Sequence, residues 1–120
     1  MSDDCLFCRI VSGEIPSTEV YSSTRSYAFR DLNPQAPTHV LVVPRRHITN
    51  ADTIVATDGE DVTDLFLCAQ AIAGQEGVVS PGTDRRGYRL VFNVGQDAGN
   101  TVPHLHLHVL GGRLLGWPPG

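Results

Sequence analysis

The 120-residue chain has a formal net charge of −4 and a pI near 5.6, which excludes the broad basic surface that nucleic-acid binding needs. Its 41% hydrophobic and 18% charged residues describe an ordinary globular protein with one core; no apolar run of about 18 residues is present to cross a membrane, and the first four residues lack the basic start of a signal peptide. An anionic ligand must be held by local donors, the expected compartment is the cytoplasm, and an odd number of cysteines, three, argues against a disulfide framework.

In chain order, Cys5-Leu6-Phe7-Cys8 is a CxxC that runs into apolar residues and stops at Ser12-Gly13 and Pro16, which predicts a short helix or turn. Val20-Tyr21 and 26–30 read as two strands joined by a hairpin turn over 22–25. Pro34 and Pro37 make 31–37 a fixed irregular loop, because each removes a donor and pushes its predecessor out of the helical region. A clean β run covers 38–44 and ends at Arg45-Arg46-His47. Helical periodicity covers 57–77, with Val62, Leu65, Phe66, Ala69, Ile72 and Ala73 on one stripe, a Thr57/Glu60 capping box and a stop at Gly77. Cys68 flanks that stripe as a small hydrophobe. Loop follows over 78–87, then a strand over 88–94 and a turn over 95–100. The end, 111–120, has no period and is expected to be held by Trp117 and the prolines. Strands before and after one long helix predict a single α+β domain over 1–120, with a short N-terminal helix and an antiparallel five-stranded sheet.

The stretch that carries chemistry is His104-Leu105-His106-Leu107-His108-Val109-Leu110, which holds three of the five histidines. Strict alternation puts the imidazoles on one face and Leu105, Leu107 and Val109 on the other. A solvated polar face would use Ser, Thr or Lys, which do not titrate near neutrality as imidazole does. Three ligands in a row on one strand converge poorly on a tetrahedral ion, so the spacing favours covalent catalysis with the middle imidazole as nucleophile. Glycines near 95–100 allow a turn whose backbone N–H groups can approach a phosphate, or a plain hairpin loop. The CxxC is compatible with metal binding, with a redox pair, or with an apolar turn that happens to carry cysteines.

This histidine run resembles the signature of the histidine triad (HIT) superfamily. Asp31-Leu32-Asn33-Pro34-Gln35-Ala36-Pro37-Thr38-His39, Pro44-Arg45-Arg46-His47, Gly87 to Asn93, Gly112-Arg113 and Gly116-Trp117-Pro118-Pro119-Gly120 extend the resemblance to nearly the whole chain and to the Hint branch, the histidine triad nucleotide-binding proteins. It implies a HIT-like fold and hydrolysis of purine nucleoside 5′-phosphoramidates at the P–N bond. His106 would form a nucleotidyl-histidine, His108 would donate to a phosphate oxygen or the departing amine, and His39 would orient or tune them. The same resemblance carries Asn93, Gly99, Thr101 and Val102 to the phosphate, Asp31 to the ribose hydroxyls, and Phe7, Ile10, Phe29 and Leu32 to the base. It also implies a homodimer formed through the long helix and the 88–94 strand. Asn100-Thr101 stands where the family usually has Gln-Ser, which alters phosphate contacts but not the nucleophile. In zinc-containing relatives of the superfamily, residues matching Cys5, Cys8, His47 and His104 converge; a closed Cys₂His₂ site for structural Zn²⁺ would make His104 a ligand rather than a catalytic participant. The alternatives are a dinucleoside polyphosphate hydrolase of the same superfamily and a non-catalytic nucleotide-binding scaffold.

Overall fold

All seven residues of Thr38–Pro44 are buried, which a strand achieves only when it is paired on both edges and covered on both faces. It is the third strand of a computed structural model that describes residues 4–79 and 87–120. The elements are α1 (Leu6–Val11), β1 (Glu19–Ser22), β2 (Ser26–Arg30), β3 (Thr38–Pro44), α2 (Gly59–Gln75), β4 (Tyr88–Val91) and β5 (Leu107–Gly111). One five-stranded sheet runs in the order β1-β2-β3-β5-β4, every neighbouring pair antiparallel. The α+β architecture is the one expected from the pattern of elements. No helix among the described residues is long and apolar enough to cross a membrane.

Period-two alternation divides the sheet between two cores. Ala28, Val40, Val42, Leu107 and Val109 point to one face, where Leu65, Cys68, Ala69 and Ile72 of α2 cover them. Phe29, Leu41 and Val43 point to the other and meet Phe7, Cys8 and Ile10 of α1. Each fully buried aliphatic side chain is worth about 1.5–3 kcal/mol of transfer free energy, so α2 anchors one face. The short α1 covers the other face in part and leaves room for a cleft.

Several boundaries differ from the sequence reading. The buried side of α2 is Asp61, Leu65, Cys68, Ala69, Ile72 and Ala73, whereas Phe66 is 40% exposed and meets Phe92 edge-on at 6.1 Å. The helix is rotated toward Asp61 because that carboxylate is paired with Arg46 at 2.8 Å and Arg25 at 3.0 Å. The Thr57/Glu60 capping box does not form. Residues Ala56–Asp58 make a 3₁₀ turn instead, in which Asp58 Oδ2 accepts from the Val55 N–H at 3.0 Å. At the other end Gly77, at φ 73°, closes the helix as expected: its N–H donates to Gly74 O at 3.2 Å and the next N–H, of Val78, to Ala73 O at 3.1 Å, the paired bonds of a Schellman motif. The loop expected over 78–87 lies mostly outside the described residues.

The strand expected over 88–94 stops at Val91, and the histidine strand begins at Leu107 rather than His104. Both shifts have one cause. The Leu105 N–H donates to Ile48 O at 2.6 Å and the His104 N–H to Val102 O at 2.9 Å, so the backbone of 104–106 leaves the ladder to β4. The expected face segregation survives, since Leu105 still joins the α2-side core. The C-terminal tail is tied by arginines rather than by burial of Trp117. That ring is 81% exposed, with the Arg89 guanidinium 5.9 Å from its centroid and Arg89 Nη2 donating to Gly116 O at 2.8 Å.

Candidate active site and metal centre

Antiparallel register sets Phe29 opposite Leu41 and Leu41 opposite His108, a row across β2, β3 and β5 that floors a cleft of about 330 Å³. Phe7 and Ile10 of α1 form one wall; Asp31 and Leu32, just past β2, form another; Asn93, Gly99, Thr101 and Val102 close the third beside His106. The structure thus brings to one cavity every residue that the resemblance assigned to a nucleotide. Leu32 sits at the rim, 98% exposed. Leu6, Ile15, Pro16, Ser17, Arg30 and Leu41 also line it and were missed. Leu41 was legible, being two residues from His39 on the same strand face; residues 15–17 are irregular and carry no periodic signal.

Hydrogen bonds to backbone fix which ring nitrogens carry protons. His106 Nδ1 lies 2.7 Å from His104 O; a carbonyl only accepts, so Nδ1 bears the proton and Nε2 keeps a free lone pair. The Gln35 N–H donates to His39 Nδ1 at 3.0 Å, so in neutral His39 the proton is on Nε2. That Nε2–H faces His108 Nδ1 at 2.9 Å, which in turn leaves the proton of neutral His108 on Nε2; Asn93 Nδ2 lies 3.4 Å from that nitrogen, and because an NH₂ group only donates, it is the amide turned over, with its oxygen on this side, that accepts the proton. Burial, then the neighbouring His106 and His39, push His108 down to about 4. Burial also lowers His39, against the opposing influence of Asp31. His39 and His108 are therefore neutral near pH 7, and the neutral form of His106 sets a bare nitrogen beside the N–H of His108.

Asp31, His39 and His108 also lie within metal-binding reach of one another. The Gln35 amide rules against an ion there, because the proton it forces onto His39 Nε2 occupies the nitrogen that faces the other two groups. Asp31 is instead set by an Asx turn, with Oδ1 accepting from the Asn33 N–H at 2.8 Å. The glycine turn is less open to an anion than its composition suggests. The N–H groups of Ala98, Gly99 and Asn100 donate to carbonyls of the turn itself at 3.0–3.3 Å.

His104 belongs to a second centre. It is fully buried, and its Nε2–H donates to Pro44 O at 3.0 Å, leaving the Nδ1 lone pair facing Cys5 Sγ at 3.1 Å, Cys8 Sγ at 3.5 Å and His47 Nδ1 at 3.2 Å. Cys8 Sγ lies 3.4 Å from His47 Nδ1. Donor atoms around a tetrahedral Zn²⁺ with bonds of about 2.0–2.3 Å are about 3.3–3.8 Å apart, so the spacing and the soft donor set fit that ion. Burial first, and then Cys5, push the Cys8 thiol up to about 11; a cation is what would ionise such a pair. Among the described residues these four form a closed set, joined to the cleft through the His104 carbonyl that holds His106.

Known proteins resemble this chain over most of its length. A model of the HIT domain matches residues 12–115. A HIT family hydrolase from Legionella pneumophila superposes with a TM-score of 0.90 at 46% identity, covering 98% of this chain and 100% of that one. A histidine triad nucleotide-binding protein from Candida albicans superposes at 0.81 with 29% identity, covering 96% and 83%. The 14 kDa zinc-binding protein of Zea mays is 41% identical over 117 residues, 96% of this chain and 87% of that protein.

Proposed function

The chain belongs to the HIT domain family, and from that premise we propose that it is a nucleotide-binding hydrolase of the Hint branch that cleaves purine nucleoside 5′-phosphoramidates at the P–N bond. The observation that carries this reading is the 2.7 Å contact from His106 Nδ1 to the His104 carbonyl, which leaves a nucleophilic nitrogen aimed into a cleft with an apolar half and a polar half. In the reaction proposed, His106 Nε2 attacks the α-phosphorus as the bond to the amine breaks, and the positive charge that develops on the ring is stabilised by its Nδ1–H bond to the carbonyl. The His108 Nε2–H passes its proton to the departing amine and recovers one from the water of the second step. Water then cleaves the nucleotidyl-His106 to release a nucleoside monophosphate, one water being consumed overall. Phe7, Ile10, Phe29 and Leu32 take the base, Asp31 the ribose hydroxyls, and Asn93, Gly99, Thr101 and Val102 the phosphate. The names of the Legionella and Candida proteins support a hydrolase and a nucleotide ligand.

Cys5, Cys8, His47 and His104 would hold a structural Zn²⁺, as the name of the maize relative supports. The ion would cross-link α1 to the sheet and, with four protein ligands, has no open position for chemistry. A cytoplasmic setting, which keeps both thiols reduced, is part of this reading. So is a homodimer through α2 and β4, supported by Leu67 at 54%, Phe66 at 40% and Leu90 at 36% exposure.

The test sets adenosine phosphoramidate beside diadenosine polyphosphate, with quench and mass measurement of the protein. Turnover of the first with a nucleotidyl adduct on His106 is expected. Preference for the polyphosphate would assign the other branch of the superfamily, and mononucleotide binding without turnover of either would assign a binding protein.

A further inference from the structure

The tautomer of His108 depends on a chain of contacts that begins outside the cleft, in the tail. Gly112, at φ 93°, passes so close to the 31–37 loop that a Cβ there would lie 2.9 Å from Pro37 Cβ. This approach brings Arg113 over the loop, where its Nε donates to Gln35 O at 3.1 Å and its Nη2 to the same oxygen at 2.9 Å. The Gln35 side chain is held as well, Nε2 donating to Asn33 O at 3.0 Å. With both ends of the residue held, its N–H stays on His39 Nδ1, and His39 Nε2 stays on His108 Nδ1. Each link has only one polarity, because the guanidinium and the amide can only donate.

We propose that Arg113 is a positioning residue for the hydrolytic reaction: by gripping the Gln35 carbonyl it keeps the Gln35 N–H on His39 Nδ1 and so fixes His108 with its proton on Nε2, facing the cleft. This rests on the phosphoramidase reading for its catalytic consequence but not for its structural one. Without the grip the loop is free to withdraw its N–H, His39 can take the other tautomer, and His108 Nδ1 then gains a neighbour that accepts rather than donates. The Nε2–H aimed at the substrate would be present for only part of the time.

The experiment combines two arms. In ¹⁵N-histidine-labelled protein without substrate, His39 and His108 of the parent should each show a protonated Nε2 and a bare Nδ1. Arg113→Ala, and independently Gln35→Pro, which deletes the N–H itself, should give mixed tautomers at both rings. Arg113→Lys, which retains one donor and the charge, should restore most of the parent pattern. In kinetics, Arg113→Ala should lower kcat by about tenfold on a phosphoramidate of a basic alkylamine, with KM within about twofold, and by less than about twofold on one with a readily departing arylamine. Unchanged tautomers in both Arg113→Ala and Gln35→Pro would overturn the proposal, as would an equal loss of kcat on the two substrates. Should Arg113→Ala fail to fold, Gln35→Pro and Arg113→Lys decide it by the same readouts. If the parent turns over no phosphoramidate, the spectra still decide the positioning role while the assigned activity falls.

Discussion

His106 is the ring whose free nitrogen faces the cleft, and His106→Ala is expected to abolish turnover while leaving mononucleotide affinity within about tenfold, or about 1.4 kcal/mol. Calorimetric titration beside the activity assay checks this; near-parental rates would assign the nucleophile elsewhere. His108 allows a prediction about stability. Its folded value near 4 is below the ordinary 6.5, so between those values the unfolded chain binds a proton that the folded chain does not. The stability this ring contributes is therefore complete above about pH 6.5 and is lost as the pH falls through about 4. Because the ring is half-buried, the contribution is about 1–2 kcal/mol after allowance for solvent screening. Urea midpoints at neutral and acid pH should show a shallower pH dependence for His108→Asn than for the parent, and equal slopes would remove the ring from the linkage.

At the level of elements, α1 is only six residues long and has little helical stability of its own. It is held by Phe7, Cys8 and Ile10 on the sheet and by the Cys₂His₂ cluster that joins Cys5 and Cys8 to His47 and His104. Protein purified without chelator should contain about one equivalent of zinc per chain, and removing it should speed amide exchange in α1 before that in β3 or α2. Cys5→Ser should lower the zinc content and speed the same exchange in α1; less than about one-tenth equivalent in the parent would refute the site. At the end of α2, Gly77→Ala should cost about 1–2 kcal/mol, since φ 73° is adverse for any residue with a Cβ. A urea midpoint within error of the parent would show that the Schellman turn relaxes at no cost.

For the whole molecule, exposed apolar residues lie on α2 and on β4, an edge strand of the sheet, and such edges invite pairing. Cys68, which the sequence set beside the core stripe with Leu67, is 3% exposed and belongs to the core, so Phe66 and Leu67 are the side chains that α2 offers. Sedimentation at micromolar concentration should give about twice the 13.0 kDa of one chain, and Leu67→Glu should shift it to the monomer. A parent that sediments only as a single chain would exclude the dimer.

The sequence by itself determined what depends on local pattern. The period of two across 104–110, the prolines around Asp31 and the helical stripe of 57–77 all report near-neighbour geometry, and from them the five strands, the long helix and a row of imidazoles were readable. The motifs also named residues that the fold brings to one cleft. What only the tertiary structure decided is the direction of each functional atom. The three histidines sit two residues apart and look equivalent in the sequence. Yet a carbonyl at Pro44 and an amide at Gln35 relayed through His39 put the proton of His104 and of His108 on Nε2, while the carbonyl of His104 puts that of His106 on Nδ1. A tautomer is set by whichever donor or acceptor folding brings within hydrogen-bond distance, and those groups lie as far as 73 residues apart, from Gln35 to His108. The same reason hid the rotation of α2 toward Asp61, since the arginines that neutralise that carboxylate come from the ends of β-strands and not from the helix.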